Sequence, residues 1–132
     1  MTVVVCVDDR LGMMFNNRRQ SRDLVVVEKI KSMAGNNRLL MNEYSSKLFE
    51  CEDIVVDNAF LKKAMSSDYC FVENESIAEY VQKIERVVLF KWNKVYPSDF
   101  KLDFDFSIFS LKDSFDFEGN SHERITCEVW ER

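Results

Sequence analysis

Glycine, proline and histidine are scarce in this chain, and each scarcity excludes something. The 132 residues include three Gly, one Pro and one His. Average usage would place roughly sixteen Gly and Pro residues in a chain of this length. Collagen-like, Gly/Ser-linker and Pro-rich disordered classes are therefore excluded. Loops that wrap a phosphate in backbone N–H groups need clustered glycines for close approach. Gly12, Gly35 and Gly119 are far apart, so no GxGxxG or Walker A loop can form. One His and four separated cysteines, Cys6, Cys51, Cys70 and Cys127, give no CxxC and no zinc pattern. Three of these cysteines sit in apolar strand-like runs, where buried reduced thiols are expected. No apolar run approaches the length of a membrane span. The first apolar run ends at Asp8 and Asp9, which does not fit a signal peptide. A cytoplasmic protein without membrane attachment is the expectation.

What is present suits one folded domain over residues 1–132. Hydrophobic residues make up 46% and aromatic residues 13%, with eleven Phe to supply buried area. The formal charge of −5 does not indicate a general affinity for nucleic acid. Charge is unevenly spread. Arg18, Arg19 and Arg22 cluster early, while residues 99–123 hold seven acids against Lys101 and Lys112.

Hydrophobic patterning predicts alternating strands and helices. Thr2–Val7 is a β-branched run of the kind buried on both faces of a sheet. Residues 8–22 read as a polar loop. A helix is expected from Asp23 to Ala34, with Leu24, Val27, Ile30 and Met33 or Ala34 on its apolar face and Gly35 ending it. Strands are expected at 38–41, 53–56, 69–72 and 86–92. Between them fall helices at 43–49, at 58–65 with Asn58 as cap, and at 76–83, where Ser76 and Glu79 have capping-box spacing. After Pro97, Phe104, Phe106, Ile108, Leu111, Phe115 and Phe117 suggest extended chain. A turn at 116–122 then leads to a last strand through Ile125, Cys127, Val129 and Trp130. The sum is a three-layer α/β/α fold whose mostly parallel sheet ends in an antiparallel hairpin. Ligands in such sheets bind beyond the carboxyl ends of the strands.

This order, with its motifs, resembles the dihydrofolate reductase fold family. VVCVDDRLGMMFNNR (residues 4–18) is similar to that family's first strand and mobile loop. SRDL (21–24) resembles the start of its first long helix, where reductases place a buried carboxylate. LLMNEYSSKLF (39–49) and FVENESIAEYV (71–81) resemble two further strand–helix units, and ERVVLFKW (85–92), YPSDF (96–100) and VWER (129–132) resemble later elements. The resemblance implies a cofactor site built on Gly-Arg after one strand and Gly-Gly after another. Asn42 and Glu43 stand at the first place, Glu73 and Asn74 at the second. A cation has become an anion, and two side chains replace two glycines. Glu43 and Glu73 would each repel a pyrophosphate at short range. The expectation is that the fold is kept and the NADPH site is degenerate, with no cofactor implied.

Candidate site residues follow. Asp23 is a pocket carboxylate or general acid, or else an ordinary helix cap. Arg18, Arg19 and Arg22 offer guanidinium forks for carboxylate or phosphate, with Asn16, Asn17 and Gln20 as amide contacts, against a plain solvated loop. Gly12 lies in the loop over the pocket, and Asn42, Glu43, Tyr44, Glu73 and Asn74 line the strand ends. Asp8 and Asp9 together with Asp23 could hold a divalent ion for phosphoester hydrolysis, with RNA among the substrates. No metal site is otherwise indicated. His122 reads as a surface turn residue, and no Ser or Cys has a visible base partner for a triad. The Phe-rich segment reads as core, with a protein-interaction patch as the alternative. The leading reading is a non-reductase relative that binds a small polar or anionic molecule. A crevice plugged by Glu73 and Tyr44 would favour the interaction module instead. Neither the oligomeric state nor the small molecule is legible in the sequence.

Overall fold

The structure is a computed structural model that describes residues 1–50 and 53–132. Cys51 therefore lies outside the described residues. Within them the main sheet runs β5-β4-β6-β1-β7-β10-β9. Its strands are β1 (Thr2–Val7), β4 (Leu39–Met41), β5 (Ile54–Val56), β6 (Tyr69–Phe71), β7 (Arg86–Lys91), β9 (Ser110–Phe117) and β10 (Ile125–Glu131). β1 pairs in parallel with β6 and β7, and β4 in parallel with β5 and β6. β10 joins antiparallel to β7, and β9 antiparallel to β10. The mostly parallel sheet and antiparallel C-terminal hairpin expected from the sequence are both present.

Alternation along β1 shows why the run is uniformly apolar. Val3, Val5 and Val7 enter one core cluster, and Val4 enters the other. A central strand covered on both faces has no solvent side to mark with polar residues. Helix α1 (Leu24–Ala34) covers one face through Val26, Val27, Ile30 and Ala34, helped by Phe49 of α2 (Glu43–Phe49). The apolar face of α1 is thus rotated from the expected one, and Leu24 is exposed. The other face is covered by α3 (Phe60–Lys63), a 3₁₀ helix (Ala78–Lys83) and Met13 and Met14. No described helix is long and apolar enough to cross a membrane.

Several local expectations are corrected. Residues 8–22 are not a plain loop. β2 (Gly12–Phe15) and β3 (Arg18–Arg19) form a hairpin that joins β8 (Phe100–Lys101) in a small second sheet. Phe15 pairs with Arg18, so Asn16-Asn17 is the two-residue turn, with φ of 50° and 59°. Two positive φ angles define a type I′ turn, which Asn tolerates best after Gly. Asn58 does not cap α3; its Oδ1 accepts from the Glu43 N–H. Ser76 caps no α-helix, and its hydroxyl donates to Asp103. The alternating Phe segment is extended only from Ser110. Phe104 packs on Phe106 and Phe109, and Phe106 on Trp130, closing over the core.

Cys6, Cys70 and Cys127 are free thiols, as expected. Burial pushes the Cys70 and Cys127 thiols up to about 12, so they are inert at neutral pH.

Candidate functional site

The site lies where the β2–β3 hairpin, the start of α1 and the β9–β10 turn meet. Asp23 is the centre of it. Its extended backbone (φ −153°) makes it the N-cap of α1, and Oδ1 accepts from the Val25 N–H at 2.9 Å. The cap is only part of its role. Oδ1 also accepts from the Asn120 N–H at 2.9 Å, and Oδ2 from the Ser121 N–H at 2.8 Å and from His122 Nδ1 at 2.9 Å. Burial alone would raise the carboxyl pKa, but these donors hold it far below the usual carboxylate range. Asp23 is therefore an anion at every ordinary pH, which removes the general-acid reading and leaves it as the cap of α1 and a carboxylate in the pocket wall.

His122 corrects the sequence reading. It is buried, not a surface turn residue, and its ring stacks on Trp92 at 4.6 Å and 23°. Ionised Asp23 accepts only, so His122 Nδ1 must carry a proton toward it. Nε2 of the neutral ring is then an acceptor. Ser21 Oγ lies 2.8 Å from Nε2, and Tyr96 Oη lies 3.4 Å away. A serine with a base partner is thus present, contrary to expectation.

Gly119 makes this arrangement possible. A Cβ there would overlap Asp23 Oδ2 and lie 2.8 Å from Ile125 Cδ1. Its φ is outside the left-handed region, so the requirement is close approach of backbone to carboxylate, not conformation. Gly119→Ala is expected to cost about 1–3 kcal/mol by overpacking, read as a lower urea midpoint at unchanged slope. Gly12 is the counterpart at Asp8, where a Cβ would come within 2.6 Å of Gln20 Nε2 and 2.8 Å of Ser98 Oγ.

Asp8 is buried and already committed. Its carboxylate accepts from the N–H groups of Arg10, Gly12 and Tyr96 and from Gln20 Nε2. Those bonds lower its pKa against burial. Asp9 is exposed. Among the described residues no three His, Cys, Asp or Glu side chains gather into a metal-binding group. The divalent-ion reading of Asp8, Asp9 and Asp23 thus loses its ligands.

The strand ends are closed from within. Glu73 is 8% exposed and receives Arg19 Nε at 2.8 Å, Arg19 Nη2 at 3.0 Å and Ser45 Oγ at 2.8 Å. The Arg19 guanidinium also lies over the Tyr44 ring at 4.6 Å, and the Arg19 backbone N–H donates to Tyr44 Oη. Asn42 caps α2 through Oδ1 and donates through Nδ2 to Asn74 and Glu75, both at 2.8 Å. Glu43 is exposed. Asn42 therefore binds Asn74 and Glu75, and Arg19 ties Glu73 to Tyr44, so the strand ends are filled by their own side chains. The enclosed space that remains, between Ser21, Asp23, Glu73 and Trp92, is about 20 Å³, the size of one water.

Outside the plug lies an open groove of about 620 Å³, bordered by Arg18, Arg19, Ser21, Arg22 and Tyr44. Arg18 and Arg22 are exposed. Asn16 and Asn17 serve the hairpin turn, and Asn16 with Arg18 also borders a second groove beside Tyr96 and Pro97. The structure thus brings together Arg18, Ser21, Arg22, Asp23 and His122, sets Asp8 and Gly12 apart as supports of the hairpin, and leaves Asp9 exposed.

No family model and no curated protein sequence matches this chain. The fold is that of dihydrofolate reductase, in a divergent form. A solved structure of dihydrofolate reductase from Enterococcus faecalis, complexed with NADP(H) and RAB-propyl, matches 99% of this chain and 95% of its own, with a TM-score of 0.72. The two share 9% sequence identity, a level that carries the fold and not the activity.

Proposed function

We propose that this chain is a non-reductase protein of the dihydrofolate reductase fold that binds a small anionic molecule, a carboxylate or phosphate, in the groove bordered by Arg18, Ser21, Arg22 and Tyr44. A plugged strand-end crevice speaks for an interaction module over a ligand held at the strand ends, so the anion is assigned to the open groove outside the plug, and one observation carries that reading. The Arg19–Glu73 ion pair occupies the strand-end crevice, while Arg18 and Arg22 remain exposed on the rim outside it. A buried carboxylate with its own internal arginine disfavours a dinucleotide pyrophosphate at the strand ends. Two exposed guanidiniums a few residues apart offer bidentate donors to a smaller anion. A cytoplasmic setting fits the free thiols.

Titration of ¹⁵N-labelled protein with inorganic phosphate and with succinate tests this. Saturable shifts are expected at Arg18, Ser21, Arg22 and Tyr44. Affinity should fall at least tenfold, about 1.4 kcal/mol, in the Arg18→Ala/Arg22→Ala double variant. NADPH should give no saturable change in its own fluorescence. Micromolar NADPH affinity, or phosphate shifts indifferent to both arginines, would refute the reading.

A further inference from the structure

Ser21, His122 and Asp23 form a chain of hydrogen bonds that the strand-end plug and the arginine groove do not explain. The distances are 2.8 Å from Ser21 Oγ to His122 Nε2 and 2.9 Å from His122 Nδ1 to Asp23 Oδ2. Both lie in the range of a nucleophile, its base and the group that orients the base. The order of proton positions is also the productive one. Asp23 is held as an acceptor by three backbone donors, which fixes the Nδ1–H tautomer and leaves Nε2 free to take a proton. Trp92 stacking fixes the ring plane, and burial keeps water from competing for it. Ser21 is half-buried and faces two spaces at once. It borders the enclosed pocket beside Trp92 and the open groove of Arg18 and Arg22. A serine that only satisfied the imidazole would have no need of that open approach.

We infer that Ser21 is a nucleophile, with His122 as its general base and Asp23 as the orienting carboxylate, and that the site cleaves small carboxylic esters by acyl transfer to water. In the first step Ser21 Oγ bonds to the ester carbonyl carbon while His122 Nε2 takes the hydroxyl proton. The tetrahedral adduct collapses, the C–O bond to the alcohol breaks, and the leaving oxygen takes the proton from Nε2. In the second step water attacks the acyl-serine and gives a proton to Nε2. Collapse returns that proton to Ser21 Oγ and releases the carboxylic acid. Ester and water are consumed, and alcohol and acid are formed, with no redox change. Arg18 and Arg22 on the groove favour an acyl group that ends in a second carboxylate, a preference that rests on the anion-binding reading above. The acyl-transfer step itself does not depend on it.

The test uses the intact chain with three probes. A fluorophosphonate reports the nucleophile, p-nitrophenyl acetate reports neutral ester turnover, and mono-p-nitrophenyl succinate reports the anionic preference. A single adduct on Ser21 is expected, identified by peptide mass, together with a burst of p-nitrophenolate near one equivalent. Ser21→Ala should abolish both. His122→Gln should lower the rate at least a hundredfold while circular dichroism shows it folded. If Arg18→Ala/Arg22→Ala lowers the ratio of succinate-ester to acetate turnover at least tenfold, both readings stand. If both esters turn over and neither responds to the arginines, the anion groove fails and the triad stands. No adduct on Ser21 in folded protein, or ester turnover equal in wild type and Ser21→Ala, overturns the triad.

Discussion

Replacing Asp23 with alanine is expected to destabilise the protein by about 3–5 kcal/mol, near the upper end for a single substitution. The carboxylate is fully buried and receives three backbone N–H groups and an imidazole N–H. Truncation would leave those donors unpaired in a site too tight to hydrate them all. An ordinary helix cap is worth only about 1 kcal/mol, so the size of the loss separates a cap from a hub. Thermal unfolding should fall by roughly 10–20 °C in a domain of this size. A loss of about 1 kcal/mol would show that the β9–β10 turn does not depend on Asp23.

The same residue sets an acid limit. Its folded-state pKa is lowered, so the unfolded chain takes up a proton first as pH falls. The stability it contributes is complete above the unfolded value, near 3.8, and is lost progressively as pH drops from there toward the folded value. Asp68, held down by the Arg38 guanidinium, and Asp8, held down by backbone donors, act in the same sense. Urea midpoints should therefore be flat near neutrality and decline below about pH 4, with the decline shallower in Asp23→Asn.

Part of this was legible in the sequence, because local rules governed it. Asp23 and Gly35 bracket α1, and the apolar run Thr2–Val7 marks the central strand. Asn42, Glu43, Glu73 and Asn74 were legible as polar residues just beyond the apolar strands β4 and β6. What failed was non-local. His122 and Asp23 are 99 positions apart, and nothing in Gly-Asn-Ser-His marks a buried imidazole. The available signal was Gly119, one of three glycines in a chain that otherwise avoids them, since a retained glycine marks backbone approaching something closely. Asn16-Asn17 carried a hairpin signal that its polarity obscured. Phe104 and Phe106 alternate with Asp103 and Asp105 as a strand would, but the Phe109 N–H turns back to the Phe106 carbonyl and the rings cluster. Arg19 reads as a ligand contact in the sequence because it clusters with Arg18 and Arg22. Only the pairing of β2 and β3 directs it inward to Glu73.

The second large effect is expected at that ion pair. Arg19→Ala should cost about 3–5 kcal/mol, because it strands the Glu73 carboxylate with Ser45 Oγ as its remaining side-chain donor. Arg19→Met/Glu73→Leu should recover most of the loss, since exchanging a buried pair for apolar groups of similar volume is often nearly neutral. Glu73→Ala is the informative single change. It frees a guanidinium that is already 21% exposed and borders the groove of Arg18 and Arg22. Phosphate affinity should then rise severalfold, as a third fork joins the other two. The apolar double variant should bind phosphate as wild type does, because it removes the plug's charges without adding a cation to the groove. Stability measured by urea and affinity by calorimetry thus respond in different orders across the series. A Glu73→Ala protein that bound phosphate no better than wild type would mean that Arg19 holds its place through Tyr44 alone, and that the plug is a feature of packing and not of charge.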